Sequence, residues 1–331
     1  MRWFYRLLTI DHLFIIGLLL ANFLNAWIAP STFSKLNFLS LAFPGLMIAN
    51  ILGLLFWMFA RKKRFFFFAA VSLLFYLPVK RWVNYSPSKT AEKKTIRIVS
   101  FNCKLTTDKR RAQIEEYLAS EDFDIINLQE ASVVKPTSGL PYSYENELLM
   151  ATYSRYKIVD RKPILNSKED RQSYAIQTDI EIDGKIIRIF NIHLSSFFFN
   201  KDMLYPEEQA EANQQKILDI YRTLEPGFRK HEQQLKVITK AIRNSPYPTI
   251  VTGDLNAVPN SYEYYEISEG LTDAFVAAGK GFSTTFHDYK IPITIDYIFT
   301  SKELETIDYD VKRNIRISDH YPVVAEIQLN F

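Results

Sequence analysis

The chain carries one cysteine, Cys103, in 331 residues, so an intramolecular disulfide is excluded and cysteine usage says nothing about compartment. A strong charge of one sign is also missing. With 40 Lys and Arg against 37 Asp and Glu the net charge is +3, and the basic excess sits partly around apolar segments, not on a face sized for DNA. Composition therefore gives little support to nucleic acid as the substrate. No internal repeat or low-complexity tract is present beyond the Phe65–Phe68 run, which argues against a repeat array. Acidic residues are scarce over residues 1–84, where Leu, Phe, Ile and Ala dominate. The rest mixes charged and apolar residues as a globular domain does, and is long enough to bury its own core.

The apolar part reads as a membrane anchor of two to three transmembrane helices. Phe38–Ala60 has no charge and is long enough to cross a hydrocarbon core of about 30 Å. A first span is expected over Leu7–Ile28, with Asp11 and His12 near one end where water or headgroups could solvate them. Phe65–Val79 is short for a full span, but Lys80, Arg81 and Trp82 could extend its reach at the interface; lying on the membrane surface is the alternative. A cleaved signal peptide competes for the first segment; the later segments would still hold the mature chain in the membrane. Arg2, Arg6 and the Arg61–Arg64 cluster flank the spans and are expected on the cytoplasmic side. Three spans would then put the remainder outside the cytoplasm, tethered to the cell (inner) membrane. The cluster Lys80, Arg81, Lys89, Lys93 and Lys94 pulls the other way, and two spans would reverse the orientation. Residues 85–94, rich in Pro, Ser and Lys, read as a linker.

From residue 95 to 331 short β-rich runs alternate with helical stretches. Ile96–Phe101 and Asp124–Leu128 read as buried strands around an amphipathic helix, Lys109–Ser120. A strand–helix–strand unit of this length implies parallel strands, so Asn102 and Glu130 should emerge from one sheet edge. Ile186–Asn191 leads to His193, Thr249–Thr252 to Asp254 and Asn256, Ile295–Phe299 contains Asp296, and Asp319 and His320 precede a last strand, Val323–Leu329. These are oxygen and imidazole donors, a set suited to a hard cation, Mg²⁺ with Mn²⁺ as the alternative. A phosphoester is the natural substrate, because such a cation polarises a phosphoryl oxygen while a carboxylate or histidine handles the proton. Cys103, at a strand end, is expected to be packed instead of reactive, and His231, Asp273 and His287 have no motif support.

Six segments in order, Ile98–Asn102, Asp124–Glu130, Asn191–Leu194, Gly253–Asn256, Ile295–Phe299 and Ser318–Val323, resemble the endonuclease/exonuclease/phosphatase (DNase I-like) superfamily. The resemblance implies an α/β four-layer sandwich, two sheets face to face with helices outside. It also implies that Glu130 binds the metal with Asn102 and Asp319 beside it. Asp254 is associated with activating water or with the metal, Asn256 with orienting phosphate, and His193 and His320, the latter paired with Asp296, with phosphate contact or proton movement. Ser154-Arg155 would start a further strand near the site. Ser195–Pro206 falls where members of the superfamily differ, and Phe197–Phe199 is as well suited to packing as to substrate contact. The expected function is a membrane-anchored, metal-dependent phosphoesterase acting on a phosphodiester or phosphomonoester. A lipid or nucleotide substrate is preferred to nucleic acid. A nuclease and an inactive membrane-held binding protein are the alternatives, and no protein partner is indicated.

Overall fold

The computed structural model describes residues 2–104, 108–131, 134–136, 139–145, 149–166, 174–197, 210–288 and 293–331. The N-terminal part holds helices α1 (Arg2–Asn22), α2 (Pro30–Phe33), α3 (Lys35–Phe59), α4 (Arg64–Ser72) and α5 (Tyr76–Lys80). Two helical stretches, Trp3–Ala26 and Lys35–Phe59, are long and apolar enough to cross a membrane, each reaching about 36 Å at 1.5 Å per residue. Their outer faces expose Ile10, Phe14, Ile48 and Leu52, whereas Leu19, Phe43, Trp57, Phe68 and Phe75 pack together inside.

Two expectations about this part need correction. His12 is not solvated at a helix end. It is buried, its Nδ1 accepts from Trp57 Nε1 at 2.9 Å and its Nε2 meets Asn50 Oδ1 at 2.9 Å. Gly53 makes room for it, since a Cβ there would lie 2.7 Å from the ring. The Phe65–Val79 stretch is not one helix, because a 3-10 turn over Leu73–Phe75 separates α4 from α5, whose middle residue is Pro78. Pro lacks the N–H that a continuous helix would need there.

The remainder contains β1 (Val83–Tyr85), β2 (Thr95–Asn102), α6 (Asp108–Ser120), β3 (Ile125–Gln129), β4 (Tyr142–Glu145), β5 (Ala151–Ser154), β6 (Lys157–Asn166), β7 (Tyr174–Ile182), β8 (Lys185–His193), α7 (Ala210–Arg243), β9 (Thr249–Asp254), α8 (Tyr262–Ser268), β10 (Thr272–Asp273), α9 (Ala274–Ala278), β11 (Lys280–Phe282), β12 (Asp296–Thr300), β13 (Leu304–Val311) and β14 (Val323–Leu329). One sheet runs β13-β14-β2-β3-β5-β4 and the other β10-β12-β9-β8-β7-β6. As expected, β2 and β3 are parallel, with α6 in the crossover. The pair β8 and β9 is parallel across α7.

Ile96, Ile98, Ile187, Ile189, Ile250, Ile298 and Ile327 fill the space between the sheets. Outside them, α6 covers one sheet through Ile114 and Leu118, and α7 covers the other through Leu235 and Ile238. This is the four-layer DNase I-like sandwich. Ser154 ends β5 instead of starting a strand, and pairs with Ile125 at the beginning of β3. Arg155 binds Asp122 and Asp124 there, at the edge opposite Glu130.

β1 straddles the expected border between anchor and linker and pairs with β11. Polar contacts extend this junction: Asn37 and Arg81 bind Glu263 and Asn260, and Asn84 Nδ2 donates to the carbonyls of Phe275 and Val276.

Candidate functional site

The pleat of the strands builds the site. On β2 the residues facing the opposite sheet are Ile96 and Ile98, and the same two-residue period brings Asn102 to that face at the strand end. The period repeats on β8 with Ile187, Ile189 and His193, on β9 with Ile250 and Asp254, and on β12 with Ile298 and Asp296. Isoleucines thus fill the middle of the sandwich and polar groups its mouth. The β9–β12 register sets Asp254 opposite Asp296, and the β8–β9 register sets His193 beside Asp254.

Asp254 is the hub. Its Oδ2 accepts from Asn102 Nδ2 at 3.0 Å and from Asn256 Nδ2 at 3.4 Å, and lies 3.7 Å from both His193 Nε2 and His320 Nε2. Its Oδ1 accepts the Asn256 backbone N–H at 2.7 Å. Glu130 Oε1 lies 3.3 Å from Asn102 Nδ2 and 3.4 Å from His193 Nε2. His320 Nδ1 bonds both Asp296 oxygens at 2.9 and 3.1 Å. Asp296 is held in turn by its backbone N–H, which donates to Thr285 Oγ1 at 3.1 Å.

Seven of the eight expected residues therefore converge. Asp319, the eighth, is beside them in the chain, but its carboxylate binds Lys104 Nζ at 2.6 Å. Lys104 also reaches Asp288 at 3.4 Å. Sequence reasoning missed Lys104 and Thr285; His287, without motif support but close in sequence to Thr285, supports the site, its N–H donating to the Asp319 carbonyl and its ring stacking on Tyr321. Only the place of Lys104 just after Asn102 could have drawn attention to it. Cys103 is packed as expected, and burial pushes its thiol up. Asp273 caps α9 by accepting from the Phe275 N–H at 2.8 Å. Phe197, after β8, packs against Phe228 and His231 of α7; Phe198 and Phe199 fall outside the described residues.

The backbone is strained at this mouth. Lys104, Glu130 and Asn256 take φ of +49°, +49° and +46°, a left-handed conformation that side-chain-bearing residues adopt at a cost. Gly253 has φ +134°, and a Cβ there would lie 1.9 Å from the Ile192 carbonyl oxygen. Only glycine fits.

Charge and burial oppose each other at each ionisable group. Burial lifts Asp254, and despite the two histidines its pKa is raised to about 6, with Asp296 adding to the rise. Burial alone would lower His320, but Asp296 and Asp254 more than reverse that and raise it to about 10. His193 is raised in the same way, by Glu130 and Asp254 against burial. For Glu130 burial acts upward, and the hydrogen bond and charge of His193, with Asn102, bring it below its ordinary value. Glu130, held below its ordinary value, and the Asp254 carboxylate both contact the Asn102 Nδ2, and these carboxylate oxygens fit a hard divalent cation, while the Asn102 Oδ1 accepts the Lys104 N–H at 2.9 Å. Asp254, Asp296 and His320 also place one ligand atom each within 4.8 Å of one another.

Comparison with known proteins agrees with this geometry. Residues 5–82 match a domain of unknown function, DUF8431. No curated protein is detectably similar in sequence. Among solved structures, Danio rerio (zebrafish) TDP2 complexed with single strand DNA product superposes with a TM-score of 0.53 at 15% identity, covering 71% of this chain and 99% of that one. An endonuclease/exonuclease/phosphatase family protein from Bacteroides thetaiotaomicron gives 0.51 at 17% identity, over 72% and 96%. Another from Bacteroides vulgatus gives 0.50 at 20%, over 72% and 100%. At these identities the likeness concerns the fold. The profile of the endonuclease/exonuclease/phosphatase family matches residues 99–320, most of the globular part and every residue of the site, so the chain belongs to that family.

Proposed function

We propose that the chain is a membrane-anchored, divalent-metal-dependent phosphoesterase acting on a small or membrane-associated phosphoester. The observation that carries this reading is the convergence of Asn102, Glu130, His193, Asn256, Asp296 and His320 around Asp254. Glu130, with Asn102 and Asp319, would hold Mg²⁺ or Mn²⁺, which when bound supplies a Lewis acid for a phosphoryl oxygen and for the departing oxygen.

The protein's own groups divide the remaining work. Asp254 takes the proton of the attacking water, its pKa of about 6 lying close to neutrality, where a general base is most effective. His320, fixed at Nδ1 by Asp296, presents its Nε2–H towards the same space as Asp254 and donates to the charge that builds on phosphate. His193 and the Asn256 carboxamide complete the donor set. Asp296 fixes the imidazole and takes no direct part.

Two features favour a substrate at the bilayer over duplex DNA. Charges are balanced, whereas duplex binding needs many unopposed cations. The anchor also packs beside the site mouth: Trp82 joins Val258, Phe286, Ile293 and Ile295, and Phe286 meets the His320 ring at 4.8 Å. The test is turnover by the detergent-solubilised full chain on phospholipid and sphingolipid headgroups, nucleotides and duplex DNA at matched Mg²⁺ and salt. Headgroup or nucleotide hydrolysis should dominate; DNA cleavage far faster than both would replace this reading with a nuclease.

A further inference from the structure

His231 lies on α7, outside every motif, and is completely buried. Its Nε2 is 2.7 Å from the carbonyl oxygen of Ser195, which can only accept, so this nitrogen donates. Its Nδ1 lies 2.9 Å from Glu263 Oε1 on α8. Glu263 is also fully buried, and both its oxygens receive the Asn37 carboxamide Nδ2, at 2.8 and 3.0 Å. Asn37 stands near the start of α3, in the apolar N-terminal part, and its Oδ1 accepts the Tyr262 N–H at 2.7 Å. A continuous buried chain, Asn37–Glu263–His231–Ser195, thus runs from the anchor helix to the segment that leaves His193.

That segment is pinned residue by residue. The Leu194 N–H donates to the Asp254 carbonyl at 3.0 Å, and the Leu194 carbonyl accepts from Asn256 Nδ2 at 2.9 Å. One residue on, Ser195 is held by His231 at its carbonyl and by Gln234, which accepts its N–H at 3.3 Å. Release of the Ser195 carbonyl from His231 would loosen the backbone that orients His193 and the Asn256 carboxamide.

We propose that His231 is a positioning residue for the phosphoester site and that the anchor, through Asn37 and Glu263, is part of the machinery that holds it. The proposal rests on the phosphoesterase reading for its kinetic arm only. Asn and Gln dissect the imidazole: the Asn carboxamide nitrogen stands near the place of Nδ1, and that of Gln near the place of Nε2. His231→Asn keeps the link to Glu263 and loses Ser195; His231→Gln does the reverse.

The experiment uses the full chain in detergent micelles with Mg²⁺ and bis(4-nitrophenyl) phosphate, with hydrogen exchange read over residues 191–197. In His231→Asn, kcat should fall roughly tenfold to a hundredfold at nearly unchanged KM, with faster exchange at Leu194 and Ser195. His231→Gln should stay within about threefold of wild-type kcat and keep wild-type exchange. Asn37→Leu breaks the chain on the same Glu263 side as His231→Gln and should match its small kcat loss; a loss as large as that of His231→Asn, or a wild-type kcat in both Asn37→Leu and His231→Gln, would remove the anchor from the proposal. A bulk structural role for His231 would instead impair both His231 variants alike. Equal kcat and equal exchange in the two would overturn the proposal. If the wild type turns over no phosphoester, the functional reading fails while exchange still decides the positioning: a difference between Asn and Gln upholds it, and equality overturns it.

Discussion

His320 is where burial and charge compete most directly. Burial disfavours its charged form, yet Asp296 at 2.9 Å and Asp254 at 3.7 Å keep its folded pKa up at about 10. An unfolded histidine titrates near 6.5. Because the folded value is the higher one, the stabilisation is complete below about 6.5 and is lost as pH rises through about 10. In chelator, thermal unfolding should therefore show a wild-type advantage over His320→Gln that shrinks across that window; an advantage that holds constant or grows would contradict the pairing. Asn102, His193 and Asp254 were legible because each ends a buried apolar run, where a polar group needs a reason to be buried, and the rest because they fall in six segments that stand in the order of the superfamily. His231, Glu263 and Lys104 were not, since their partners Ser195, Asn37 and Asp319 are distant in sequence and no spacing rule links them.

At the scale of elements, the contact between β8 and β9 depends on Gly253. Its partner in register is Ile192, and a methyl group there would meet the Ile192 carbonyl at 1.9 Å. Gly253→Ala should destabilise the domain by about 1–3 kcal/mol from conformation alone, more with the clash, and displace Asp254 next to it. Urea unfolding with a wild-type midpoint would contradict this. The long strands β2, β8, β9 and β14 were readable from apolar runs ending in turns. By contrast β1 was not, because three residues, Val83-Asn84-Tyr85, form a strand only by pairing with β11, nearly two hundred positions later. The break between α4 and α5 was equally hidden, since hydropathy does not register a 3-10 turn. Asp11, on the exposed face of α1, remains the charge least suited to an apolar surround.

The whole molecule has two ends. Lys62 Nζ sits 4.3 Å above the Tyr5 ring, so the basic Arg61–Arg64 turn lies beside the start of α1. Asn25 and Arg81 instead bind Asn260 of the globular part. The chain from Arg64 to Arg81 therefore returns from the basic turn to the globular part; should it cross the membrane, the positive-inside rule expects the basic turn in the cytoplasm and the globular part outside. Protease added to cells with a permeabilised outer layer should cut the exposed stretch at residues 87–94; protection until lysis would place the hydrolase in the cytoplasm. The claim on which the rest depends is hydrolysis by a cation held at Glu130. Gln at that position keeps the shape of the side chain and removes its charge. Turnover of the solubilised full chain should need Mg²⁺ or Mn²⁺, vanish on chelation, return on adding the metal back, and drop by at least about a hundredfold in a folded Glu130→Gln variant. Turnover that persists in chelator, or that Glu130→Gln leaves unchanged, would contradict the account.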